Sequence, residues 1–130
     1  MFYHDLSFTS PLSFLRLMTT LYGIKNCDTV KKARAWLEAR GFEHHFHDFR
    51  KEGLDAPLLE KWEAILGWEA LLNKRGTSWR KLDESQREGV DRVKAMALML
   101  DQPSLIKRPV LETVTKTLIG FTADYYADEL

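Results

Sequence analysis

The chain has 130 residues, 45% of them hydrophobic and 29% charged, a composition that fits one folded domain with a real core and excludes disorder. Nineteen basic and 19 acidic side chains cancel, so no global field draws the chain to nucleic acid or an anionic membrane. No apolar run is long enough to span a bilayer, and one cysteine cannot form a disulfide framework, which fits a reducing, cytoplasmic setting.

Residues 1–17 carry Asp5, Pro11 and Arg16 and lack both a basic start and a small-residue cleavage site, so they make a poor signal peptide. Met18 stands directly before the first convincing strand. The expectation is an upstream extension over 1–17, disordered or loosely docked, from a start assigned too early, followed by a single domain over 18–130.

Thr20 to Ile24 is short, apolar and closed by turn formers, which predicts a buried strand. From Asp28 to Arg40, Val30, Ala33 and Leu37 fall on one helical face, with Asn26 or Asp28 as the cap and Gly41 as the stop. Phe42 to Phe49 predicts a second strand with Phe42, His44 and Phe46 on one face. A strand, helix and strand of these lengths make a right-handed parallel βαβ unit.

Leu54 to Leu72 predicts a helical stripe after Pro57, punctuated by Gly67, and Asn73 to Trp79 predicts a polar loop. Ser85 is the expected cap of a further helix with Val90, Val93, Ala97 and Leu100 in register, stopped by Pro103. Leu105 to Glu112 and Thr117 to Phe121 predict an antiparallel hairpin, and Thr122 caps a closing helix from Ala123 to Ala127. The sum is an α/β fold: a mixed four-stranded sheet flanked by helices, thioredoxin-like, with a helical insertion in mid-chain.

Cys27 sits where the first strand hands over to the first helix. Free N–H groups and the positive end of the helix dipole favour thiolate, the reactive form, so a redox or nucleophilic role is the leading expectation. Against it stands a buried structural thiol, since free cysteine is among the most buried residue types. His45 and His47 share a strand face while His44 points away, and no second thiol is present, so no metal site is expected. Trp62, Trp68 and Trp79 have no basic stripe beside them and are read as packing residues, with no nucleic-acid role.

The segments Leu21-Tyr22-Gly23-Ile24-Lys25-Asn26-Cys27-Asp28-Thr29, Leu71-Leu72-Asn73-Lys74-Arg75-Gly76-Thr77 and Leu105-Ile106-Lys107-Arg108-Pro109-Val110 together resemble the arsenate reductase-like family. The match is nearest its branch of small bacterial glutathione-dependent thiol reductases; the superfamily also includes the Spx transcriptional regulators. The resemblance covers residues 18–127. It implies Cys27 as the nucleophile, Arg108 as the arginine that stabilises bound oxyanion and thiolate, and a cis peptide before Pro109. It also implies glutathione as co-substrate, with no bound cofactor, and a small thiol, disulfide or oxyanion as substrate.

Thr29 near the start of the helix is a candidate donor to the sulfur, and Asn26, Thr29, Arg75 and Pro109 are candidates for holding substrate or glutathione. Arsenate reductases proper carry arginine where this chain has Asn73, and another beyond the Arg-Pro hairpin. Here Arg75 falls two positions late and no arginine follows Arg108, which argues against arsenate as the physiological substrate. The rival reading is a non-catalytic, Spx-like regulator that binds RNA polymerase. Many Spx regulators carry Cys-x-x-Cys, whereas this chain has Val30 at the second position and has no internal disulfide switch.

Overall fold

The computed structural model describes residues 18–130, so the expectation for residues 1–17 falls outside the described residues. Four strands make one sheet in the order β2-β1-β3-β4. Strand β1 (Thr20–Gly23) pairs in parallel with β2 (His45–Asp48), and helix α1 (Asp28–Ala39) makes the crossover. Strand β3 (Val110–Glu112) runs antiparallel to β1, and β4 (Thr117–Ile119) closes the hairpin with β3. This is the mixed, helix-flanked sheet expected from the sequence.

Alternation along the strands divides the interior into two cores, one on each sheet face. Leu21, Leu111 and Leu118 pack with Val30, Ala33 and Leu37 of α1 and with Tyr126 of the closing helix α8 (Ala123–Glu129). Tyr22 and Val110 point the other way, into the helical insertion, against Phe49, Leu59, Trp62 and Met99. The insertion comprises α2 (Phe49–Glu52), α3 (Ala56–Leu66), α4 (Trp68–Leu71), α5 (Thr77–Arg80), α6 (Glu84–Arg87) and α7 (Arg92–Asp101), then a 3₁₀ turn over Pro103–Leu105.

Trp62 anchors the insertion to the sheet. It is fully buried, meets the Tyr22 ring edge-on at 4.8 Å, and donates its indole N–H to Glu112 Oε2 at 3.1 Å. Tyr22 donates its hydroxyl to the other oxygen of Glu112 at 3.2 Å, and Lys61 Nζ stands 3.1 Å from Oε2. Burial, reinforced by the Glu112 carboxylate, pushes the Tyr22 phenol well above its ordinary pKa.

Several boundaries differ from the sequence-based expectation. The second strand is only His45–Asp48, because the Asp48 carboxylate accepts the Arg50 N–H and starts α2 at once. The 54–72 stripe is two helices, broken where Gly67 adopts φ 84°. Part of the expected 73–79 loop coils into α5. Asp91, not Ser85, caps α7, while Asp83 and Gln86 form a capping box on α6.

The buried face of α7 is Ala95, Met96, Leu98 and Met99, whereas Val93 is 72% exposed. That helix is apolar nearly all the way round, so period alone could not choose its inner face. His45 and His47 both approach Glu52 Oε1 at 3.8 Å, while His44 turns to the Phe42 carbonyl. Among the described residues, no His/Cys/Asp/Glu group has the arrangement to hold a metal ion.

Candidate active site

Strand register explains how residues far apart in sequence meet. Tyr22 pairs with Val110, and Val110 pairs with Ile119. The chain leaving β1, the chain entering β3 and the chain leaving β4 therefore emerge at the same end of the sheet. These three segments carry Cys27, then Lys107 and Arg108, then Gly120 and Phe121. An isolated bridge between Leu72 and Ile106 brings Asn73 to the same place. Together with Thr29, these residues line a cleft of about 340 Å³.

Cys27 occupies the N-cap position of α1 with extended backbone, φ −106° and ψ 123°. Its N–H donates to the Ile24 carbonyl at 3.2 Å, closing the turn after β1. Its own carbonyl accepts the first helical hydrogen bond from Lys31 at 2.9 Å. The expected cap was Asn26 or Asp28, and neither fills the position. The close approach of α1 to β1 depends on Gly23, where a Cβ would lie 2.7 Å from Val30 Cγ2.

The Cys27 thiol is partly exposed and free. Partial burial pushes its pKa up, and this largest single influence is outweighed by several that favour thiolate. They are the Val30 N–H, a hydrogen bond and the positive charge from Arg108, and the Thr29 N–H. The net shift is downward, below the ordinary thiol value of 9.0. The sulfur makes no capping hydrogen bond of ordinary geometry, so the N–H groups act on it chiefly as aligned dipoles.

Arg108 is half-buried and held in place from behind. Its Nη1 donates to the Ser104 carbonyl at 2.6 Å, and Ser104 Oγ in turn receives the Ser78 hydroxyl at 2.8 Å. Its Nε is buried with no partner among the described residues. The Arg108–Pro109 peptide bond is cis, as the resemblance implies. Pro109 is buried, and its carbonyl accepts the Gly120 N–H at 2.8 Å, tying the β3 entry to the β4 exit.

Of the residues singled out from sequence, Cys27, Thr29 and Arg108 line the cleft. Asn26 is an exposed turn residue, Arg75 an exposed residue ahead of α5 and Pro109 buried, and none of the three is on the cleft wall. Where Arg75 was expected, the wall is formed by Asn73. Lys107, Gly120 and Phe121 complete it and were not singled out. Pairing the hairpin residue by residue would have found them, since each lies within three residues of a strand end.

The cleft is cationic, with Lys107 and Arg108 and no carboxylate on its wall. A larger, mostly apolar cavity of about 490 Å³, bordered by Phe42, Val114 and Leu130, shares no residue with it and carries no nucleophile. Among the described residues, no helix is long and apolar enough to cross a membrane.

The model of the ArsC family matches residues 22–128. An uncharacterised protein of Haemophilus influenzae is 48% identical over 109 residues, covering 84% of this chain and 96% of its own length. A solved arsenate reductase (ArsC) related protein from Brucella melitensis is 53% identical. It covers 85% of this chain and 92% of its own, with a TM-score of 0.70. The global transcriptional regulator Spx of Enterococcus faecalis is 29% identical over 113 residues, 82% of each chain.

Proposed function

The chain belongs to the ArsC family, which makes it an oxidoreductase of thiol-reductase kind, and from that premise we propose that it is a cytoplasmic, glutathione-dependent reductase acting through Cys27 alone. The observation that carries the reading is the pairing of Cys27 with Arg108. A thiol at a helix start and beside a guanidinium ionises more readily than a free one, and thiolate is the attacking species.

The Cys27 thiolate attacks one sulfur of a disulfide. A Cys27–substrate disulfide forms, the old sulfur–sulfur bond breaks, and the other sulfur leaves as thiolate and takes a proton from water. A glutathione thiolate then attacks the mixed disulfide at the substrate sulfur, releasing Cys27 and giving a substrate–glutathione disulfide. A second glutathione reduces that product, leaving oxidised glutathione and free substrate thiol. Arg108 and Lys107 favour anionic ligands and the leaving thiolate. Thr29 lies at the sulfur's side of the cleft and offers its backbone N–H to the ionised form.

Arsenate is a poor fit for this cleft. Its wall presents one guanidinium and one ammonium, and Asn73 is neutral. A small thiol or disulfide with a single negative charge suits that arrangement better than a multiply charged oxyanion.

The similarity to Spx regulators supports a second reading, in which the chain binds RNA polymerase without turnover. Val30 speaks against a redox-switched version of it: the position is fully buried in the α1 core and packed against Gly23. That reading predicts co-purification with polymerase, unaffected by Cys27→Ser.

The deciding experiment is incubation with oxidised glutathione followed by intact-mass analysis and a coupled turnover assay. Wild type gains one glutathione and turns over, and Cys27→Ser does neither while keeping its fold. Wild type without an adduct, or an adduct that survives Cys27→Ser, ends the reductase reading.

A further inference from the structure

Gly76 has no conformational reason to be glycine. Its backbone is extended, φ −84° and ψ 165°, which any residue adopts. What a side chain would meet there is Asn73: a Cβ on Gly76 would lie 2.9 Å from Asn73 Nδ2 and 3.4 Å from Cγ. The Asn73 carboxamide packs against the bare glycine, its nitrogen nearest.

One bond sets that carboxamide and two backbone contacts hold the segment that carries it. The Arg75 N–H donates to Asn73 Oδ1 at 3.1 Å, which identifies the oxygen and leaves both Nδ2 hydrogens as donors. The Asn73 backbone N–H donates to the Leu105 carbonyl at 2.8 Å, and the adjoining Leu72 bridges Ile106. The residue is therefore stapled to the segment that delivers Arg108, and it forms part of the wall of the Cys27 cleft.

We propose that Gly76 is a positioning residue whose missing side chain gives the Asn73 amide room to present its N–H donors to a singly charged, carboxylate-bearing electrophile beside Cys27. This rests on the reading of Cys27 as an ionised nucleophile, and it names the substrate feature the cleft selects. Asn73 supplies a neutral donor where a third cation would have favoured multiply charged ligands. Gly76 acts only through Asn73.

The test compares alkylation of Cys27 by iodoacetate and by iodoacetamide. In both, the thiolate sulfur forms a bond to carbon as the carbon–iodine bond breaks and iodide leaves, so the rate ratio cancels the ionisation of Cys27 and reports recognition of the carboxylate. Asn73→Ala and Gly76→Ala each lower the iodoacetate-to-iodoacetamide ratio roughly fivefold, the scale of one lost hydrogen bond. The double variant falls no further, because both changes remove the same donor.

Asn73→Asp keeps the shape and the Arg75 bond but replaces donors with acceptor oxygens, so it lowers the ratio more than Asn73→Ala. Circular dichroism establishes that each variant is folded, and the near-isosteric Asn73→Asp keeps the test decisive if an alanine variant is not. A wild-type ratio in Gly76→Ala, or in Asn73→Asp, overturns the proposal. Because no glutathione is involved, a chain that shows these losses but forms no glutathione adduct defeats only the reductase reading. A chain that turns over with unchanged ratios defeats only this one.

Discussion

Tyr22 and Glu112 stand diagonally across the β1–β3 pairing, and the phenol donates to the carboxylate at 3.2 Å. The second carboxylate oxygen takes the indole N–H of fully buried Trp62. Glu112→Ala leaves that indole without a partner and frees Lys61. The expected cost is about 2 kcal/mol, the scale of one unsatisfied buried donor. Urea unfolding measures it, and Cys27 alkylation rates stay at the wild-type value because the network lies away from the cleft.

Gly23→Ala drives a methyl group to 2.7 Å from Val30 Cγ2 between the sheet and the helix that carries Cys27. Overpacking of a tight core costs about 1–3 kcal/mol. Val30→Ala in the same chain removes the clash, so the double variant is more stable than the sum of the single effects. A double-mutant cycle by chemical denaturation reads this coupling, and strict additivity contradicts the close approach.

Arg108 is anchored on the Ser104 carbonyl and its positive charge favours the Cys27 thiolate, a task suited to a planar, multi-donor group. Arg108→Lys keeps the charge but not the planar fork that the Ser104 carbonyl anchors. The pH midpoint of Cys27 alkylation by iodoacetamide rises, and Arg108→Ala raises it further. Midpoints unchanged in both variants would detach Arg108 from the thiolate.

The lowered Cys27 pKa links stability to pH with a definite sign. The folded thiol ionises at lower pH than the unfolded one, so between the two values the unfolded chain binds more protons and stability climbs with pH. The contribution is complete above the unfolded value and disappears as pH falls through the folded one. The unfolding free energy of wild type minus that of Cys27→Ser, taken across neutral to alkaline pH, increases over this window. A flat difference contradicts the shift.

The sequence displayed what local chemistry decides. Val30, Ala33 and Leu37 form the inner face of α1 as their spacing indicates, and Thr122 caps α8 by accepting the Tyr125 N–H. The βαβ unit and the late hairpin followed from strand lengths and turn residues. Asn73 was visible as a departure from an arginine, yet its place on the cleft wall depends on the Leu72–Ile106 bridge, a contact between distant segments. Arg75 drew attention by its charge, but α5 begins just after it and the chain carries it out of the cleft. On α7, packing against Trp62 and its neighbours selected Met96 and Met99 over Val93, a choice made by the partner surface and invisible along the helix itself.

Val30 has one more implication. With a hydrocarbon three residues past the only thiol, the polypeptide has no way to store an oxidised state as an internal disulfide. Whatever oxidising equivalent Cys27 accepts stays exposed at the surface until a thiol arrives from solution. Its lifetime is then set by the concentration of that reservoir, and starving the reservoir would leave the protein loaded instead of idle.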